Sequence, residues 1–136
     1  MRLSKITKDD LDFVRSLRNA SKSAFFFDQE VTAEQHQAWY QKIHSSPDVC
    51  FWIISIGVIR IGTVSLTRHS DTAEFGNVLI AESMRHKGFA RDALRMLIYP
   101  QQRFTARIRP DNLASKGLFS SLGFTQVSDI DWELST

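Results

Sequence analysis

The sequence predicts a mixed α/β fold, with a mostly antiparallel central sheet and helices on both faces. Three observations predict it. Between residues 49 and 81, three runs of strand character follow one another through short turns. Segments before and after that block space their apolar residues helically and carry helix-capping residues. In the C-terminal third, strands and helices alternate, which sets helices against the sheet.

"RLSKIT" at 2–7 alternates and reads as an edge strand. "KDDLDFVRSLRNA" then spaces Leu11, Phe13, Val14 and Leu17 as one helical face, with acids in the first turn where the helix dipole favours them. "SAFFFDQEV" is irregular and aromatic. In "TAEQHQAWYQKIHSS", Thr32 and Gln35 have capping-box spacing, and His36, Trp39, Tyr40 and Ile43 share a face. "VCFWIIS" at 49–55 and "RIGTVSLTRH" at 60–69 are adjacent strands turning near Gly57, and "AEFGNVLIA" at 73–81 is the third. Gly76 inside that last strand marks a bulge or a close backbone approach. The alternation puts Glu74, Gly76 and Val78 on one face. Helical spacing resumes over 88–98 and Pro100 ends it. "RFTARIRP" is a strand. "DNLASKGLFSSLGF" is a helix opened by Asp111 or Asn112 and closed by Gly123, and "TQVSDIDWELS" supplies a final strand or two. The order is βααβββαβαβ, in a single domain spanning 1–136.

Composition bounds the function. With 136 residues, 43% hydrophobic and 24% charged, the chain has the make-up of one soluble domain with a sizeable core. A net charge of +2 is too small to argue for nucleic acid. The lone Cys50 excludes an internal disulfide framework, the N-terminus lacks a signal-peptide core, and Cys50 to Ile56 is too short an apolar run to span a membrane. These features lead us to expect a cytoplasmic protein that binds neither nucleic acid nor membrane and holds no metal. They leave room for a homodimer.

"RHKGFARDAL" at 85–94 concentrates cations and a glycine where a helix begins. Helix N-termini expose unpaired N–H groups and partial positive charge, so a phosphate gathers several hydrogen bonds there. A glycine lets the backbone approach an anion closely. Arg85, Lys87 and Arg91 add charge. The stretch reads as a pyrophosphate cradle, or as a solvated basic helix start. The Lys-Ser/Thr pair and glycine spacing of nucleoside-triphosphate loops are absent.

These residues resemble the GNAT superfamily of acetyl-coenzyme A-dependent N-acetyltransferases. Its Arg/Gln-x-x-Gly-x-Gly/Ala signature is matched by Arg85, Gly88 and Ala90, and its later Asn–helix–Leu-Gly-Phe motif by Asn112, Leu122, Gly123 and Phe124. The element order matches over nearly the whole chain. The resemblance implies that acetyl-CoA is the co-substrate, its pyrophosphate held by backbone amides from His86 through Lys87, Gly88 and Phe89 to Ala90. It implies that Val78, Leu79 and Ile80 lend backbone groups to the pantetheine arm and thioester. Asn112, Ser115 and Phe119 would flank the arm's far side. Many members carry a tyrosine acid where this chain has Phe119, which has no proton to give. Water is then the expected donor to the leaving thiolate.

The attacking amine must be neutral, so a base is needed. Glu74 is the first choice, from its place on the thioester strand. His36 is the second, and His69 reads as a strand-end residue. Acceptor selection should come from the N-terminal third, with Arg18, Asn19, Phe27, Asp28 and Tyr40 as candidates. "RN…FFFDQEVTAEQHQAWYQKI" resembles the branch acting on nucleotide-linked amino sugars. The expected partner is therefore a small-molecule amine. The alternatives are a polyamine or protein amine on the same fold, or a CoA-binding domain without turnover.

Overall fold

The computed structural model describes residues 1–27 and 29–136. Among them the chain forms seven strands and four α-helices in the order β1 (Arg2–Lys5), α1 (Leu11–Ala20), α2 (Ala33–His44), β2 (Val49–Ile56), β3 (Ile59–His69), β4 (Thr72–Ile80), α3 (Phe89–Leu97), β5 (Arg103–Arg107), α4 (Leu113–Ser121), β6 (Thr125–Gln126) and β7 (Asp131–Ser135). The expected mixed α/β architecture is present. The strands join one sheet in the order β1-β2-β3-β4-β5-β7-β6, antiparallel except for the parallel β4–β5 pair.

Strand β2 shows how both faces are covered. Phe51 and Ile53 join Val14 of α1 and pack with Trp39 and Ile43 of α2. Trp52, Ile54 and Ile56 pack on the opposite face, with Leu94 of α3 and Phe119 of α4. A strand buried on both sides loses its polar alternation, which is why residues 49–56 read as a continuous apolar run. Caps fix the helix starts. Thr32 and Gln35 form the reciprocal box that opens α2. Asn112, rather than Asp111, caps α4 by accepting from the Ser115 N–H at 3.1 Å. Helix α3 stops at Leu97, because Ile98 is already extended (ψ 127°), ahead of Pro100.

Two irregularities in β4 shape the rest of the molecule. Against β3, the register runs Gly76↔Ser65 and then Leu79↔Thr63, so Asn77 and Val78 together face Val64. Asn77, at φ 51°, is the bulged residue, not Gly76. The glycine serves the close approach instead, since a Cβ there would meet Ser65 Oγ at 3.2 Å. The bulge is locked by buried hydroxyls: Thr63 Oγ1 donates to the Asn77 carbonyl at 2.6 Å, and Asn77 Nδ2 donates to Ser65 Oγ at 3.0 Å. Gly62 completes the arrangement, because any side chain there would collide with the Leu79 carbonyl. The extra residue also inverts the later alternation. Phe75, Val78 and Ile80 all reach the α3/α4 core, so Val78 does not share the face of Glu74.

The second irregularity lies on the other edge. The β4–β5 ladder runs from Thr72↔Arg103 to Phe75↔Ala106 and stops there, while β4 continues to Ile80. The two strands part, and β4 keeps a backbone edge with no β5 partner from Gly76 onward.

Candidate active site

The gap between the parted strands opens into two adjoining cavities. One, of about 490 Å³, is walled by β4 from Val78 to Ile80, by the loop and first turn of α3, by the end of α1 and by α4. The other, of about 410 Å³, is walled by Glu74 to Leu79 of β4, by Ala106 and Arg107 of β5, by Phe119, and by Phe25 and Phe26 of the α1–α2 loop. Ala24, Val78, Leu79, Asn112 and Ser115 line both. The bulge and the open strand edge therefore sit at the junction of the two spaces.

The first cavity ends at the loop that opens α3. His86 (φ 63°) and Gly88 (φ 83°) are both left-handed, with Lys87 between them. Alternation of this kind turns successive N–H groups towards a common point. Among the described residues, nothing accepts from the amides of His86, Lys87, Gly88, Phe89 or Ala90. A Cβ on Gly88 would meet no protein atom within 4 Å, so the glycine keeps the cavity mouth clear. Arg85 pins the loop by donating from Nε to the Ile80 carbonyl at 2.9 Å. Arg91 lines the cavity with a buried Nε that has no hydrogen-bond partner among the described residues. Such donors suit a pyrophosphate. The Lys87 side chain is exposed and not part of the cavity wall.

In the second cavity, Glu74 is held at both oxygens. His69 Nε2 lies 2.8 Å from Oε1, and Arg107 Nε donates to Oε2 at 2.9 Å. Arg107 keeps its terminal nitrogens free of protein partners among the described residues. Phe26 is 57% exposed beside it. Phe119 belongs to this second cavity rather than the first. It is 3% exposed and packs edge-on to Phe124 at 5.0 Å.

The other candidates lie apart. His36 lines a third space of about 220 Å³, between α1, α2 and the bulge, and its ring stacks on Trp39 at 4.7 Å. Burial, then the Arg15 charge, push its pKa below the ordinary value, against an upward pull from Asp12. The folded state therefore binds fewer protons than the unfolded chain as pH falls below about 6.5. We expect stability to be full above that pH and to fall on acidification through the depressed folded pKa, with His36→Gln flattening the dependence. Denaturation midpoints from pH 7.5 to 5 measure this. An equal slope in both proteins would contradict it.

Arg18 lies 3.8 Å over the Phe25 ring and donates to the Phe27 carbonyl, so its guanidinium shapes the α1–α2 loop. Phe27 lines the third space with it. Asn19 clamps the same loop, donating to the Val31 carbonyl at 3.0 Å and accepting from its N–H at 2.8 Å. Tyr40 is 4% exposed, stacks on His44 and lines none of the three cavities. Asp28 lies outside the described residues. Asn77, Arg107 and Ser21 were not foreseen as site residues. The Gly-Asn pair inside a strand is the one local signal that pointed to the bulge, since asparagine tolerates left-handed backbone.

Residues 1–125 match the family described as "Acetyltransferase (GNAT) domain". No curated protein matches the sequence. The chain is similar in fold to yncA from Salmonella typhimurium, solved with its cofactor acetyl-CoA (TM-score 0.80, 21% identity, 99% of this chain and 93% of that one). It is similar to a spermidine N-acetyltransferase from Vibrio cholerae in complex with CoA and spermine (0.78, 21%, 93% and 82%). It is also similar to a ribosomal-protein-alanine N-acetyltransferase from Brucella melitensis (0.81, 17%, 100% and 100%). At these identities the likeness is one of fold.

Proposed function

The chain belongs to the GNAT acetyltransferase family, an N-acetyltransferase with acetyl-CoA as co-substrate, and we propose that its acceptor is a primary amine carried by a nucleotide-linked sugar. Acetyl-CoA would supply the acetyl group as an activated thioester, with CoA leaving as the thiolate and taking its proton from water. The cradle from His86 to Ala90 binds its pyrophosphate, and the free edge of β4 takes the pantetheine arm as an added strand would be taken. A backbone amide at the bulge, near Val78, faces the developing negative charge on the thioester oxygen. Glu74 accepts the proton of the attacking amine, directly or through water. The arrangement fixes both reactants in one gap, which removes much of the entropic cost of their encounter.

The acceptor class rests on the free fork of Arg107 beside the exposed Phe26 ring. A guanidinium binds two phosphate oxygens at once, and a flat ring stacks on a base. A polyamine would instead call for several converging carboxylates. Among the described residues lining these cavities, Glu74 is the one carboxylate, and it is already held by Arg107 and His69.

Thiol release from acetyl-CoA, measured across nucleotide amino sugars, free amino sugars, polyamines and peptides, tests the assignment. The nucleotide-linked amines should give the highest kcat/KM. Arg107→Gln should raise their KM about tenfold, through loss of a charge-assisted contact. It should leave the KM for acetyl-CoA unchanged. Turnover of spermidine or peptide N-termini alone would overturn the acceptor class and leave the family membership standing.

A further inference from the structure

The end of α1 brings to the wall of the cofactor cavity a buried hydroxyl with no protein partner among the described residues. Ser21 ends α1, and its backbone is fully engaged: its N–H donates to the Arg18 carbonyl at 3.1 Å, and its carbonyl accepts from Ala24 N–H at 3.0 Å. The side chain is different. Ser21 is 7% exposed, lines the cavity, and its Oγ has no hydrogen-bond partner among the described residues. Buried hydroxyls are nearly always paired, because an unpaired one keeps its desolvation penalty. The neighbouring residues that line the same cavity, Ala20, Ser23 and Ala24, are small and uncharged. Across the cavity lies the stretch from Val78 to Ile80, on the β4 edge that has no β5 partner.

We infer that Ser21 Oγ hydrogen-bonds an amide of the pantetheine arm, gripping from α1 the chain that β4 grips from the other side. The inference rests on the cofactor assignment above. Two features select the arm over the phosphates. A buried hydroxyl among small uncharged residues offers a neutral hydrogen bond, which matches a secondary amide. A phosphate would bring charge against an uncharged wall, whereas the amides that suit it are gathered at residues 86–90. A hydroxyl also donates to an amide carbonyl or accepts from an amide N–H equally well.

Calorimetric titration of wild type and Ser21→Ala tests this with two probes. These are CoA, and 3′-phosphoadenosine 5′-diphosphate, which keeps the phosphates and lacks the arm. The variant should melt, without ligand, no lower than wild type, because no protein hydrogen bond is removed. Its Kd for CoA should rise about fivefold, the worth of one neutral hydrogen bond. Its Kd for the armless nucleotide should not change. In turnover, the KM for acetyl-CoA should rise while kcat holds. An unchanged CoA affinity, or an equal loss with the armless nucleotide, would overturn the role of Ser21 and leave the cofactor assignment intact. Wild type that binds no CoA would overturn both.

Discussion

Gly88→Val should abolish the thermal stabilisation of this protein by CoA. In wild type, ligand at a hundredfold excess over Kd adds about 2.7 kcal/mol, or about 8 °C in Tm for a domain of this size. Gly88 stands at φ 83° with open space where its Cβ would project, lining the cavity proposed to take the pyrophosphate. Valine fails there twice. Its branched side chain enters the space the pyrophosphate needs, and a β-branched residue resists left-handed backbone, at a cost of about 1–3 kcal/mol. The second effect lowers the Tm without ligand, so the quantity to read is the ligand-induced shift. Gly88→Asn separates the two, because asparagine accepts left-handed backbone yet still carries a Cβ. It should stay near wild type without ligand and still lose most of the shift. If folded Gly88→Val moves by as many degrees as wild type, the cradle is elsewhere.

Glu74→Gln should lower turnover about a hundredfold at pH 7, and the loss should shrink as pH rises towards 10. An alkylammonium acceptor is almost wholly protonated at pH 7, and its neutral fraction rises steeply towards pH 10, where solvent does more of the work of the base. The direction of the pH effect is therefore fixed: the deficit is largest in acid and smallest in alkali. The pairing of both Glu74 oxygens sharpens the test. Gln keeps one acceptor, but it places an NH2 group against Arg107 or His69 and so can disturb position as well as basicity. A deficit of equal size at every pH would assign Glu74 to holding Arg107 in place, with the proton leaving through water. CoA affinity should not change in either case.

Much of this site was legible locally. The cradle is a contiguous run whose chemistry lies in a few residues, and Asn112 announces its helix through a cap. Elsewhere the local reading placed residues it could not aim. Arg18, Asn19 and Tyr40 fall in the expected N-terminal region. Their side chains serve the Phe27 carbonyl, the Val31 backbone and the His44 ring, partners that depend on how the α1–α2 loop and α2 fold back. Phe119 was correctly read as lacking a proton, and its setting against Phe75 and Phe124 is that of a core ring.

By itself the sequence determined the element order, the cap that opens α2 and the gathering of cations and a glycine at the start of α3. Each of these follows from residue types a few positions apart, where periodicity, capping and backbone freedom act. Tertiary structure alone decided the bulge at Asn77, the parting of β4 from β5, the pairing of Glu74 with Arg107 and the enclosure of Ser21. These depend on strand register and on partners distant along the chain, 33 residues in the case of Arg107 and Glu74, and 84 where Arg109 holds the Phe25 carbonyl. One unpaired residue in a ladder inverts every side chain beyond it, and alternation read along a single strand carries no trace of the strand beside it.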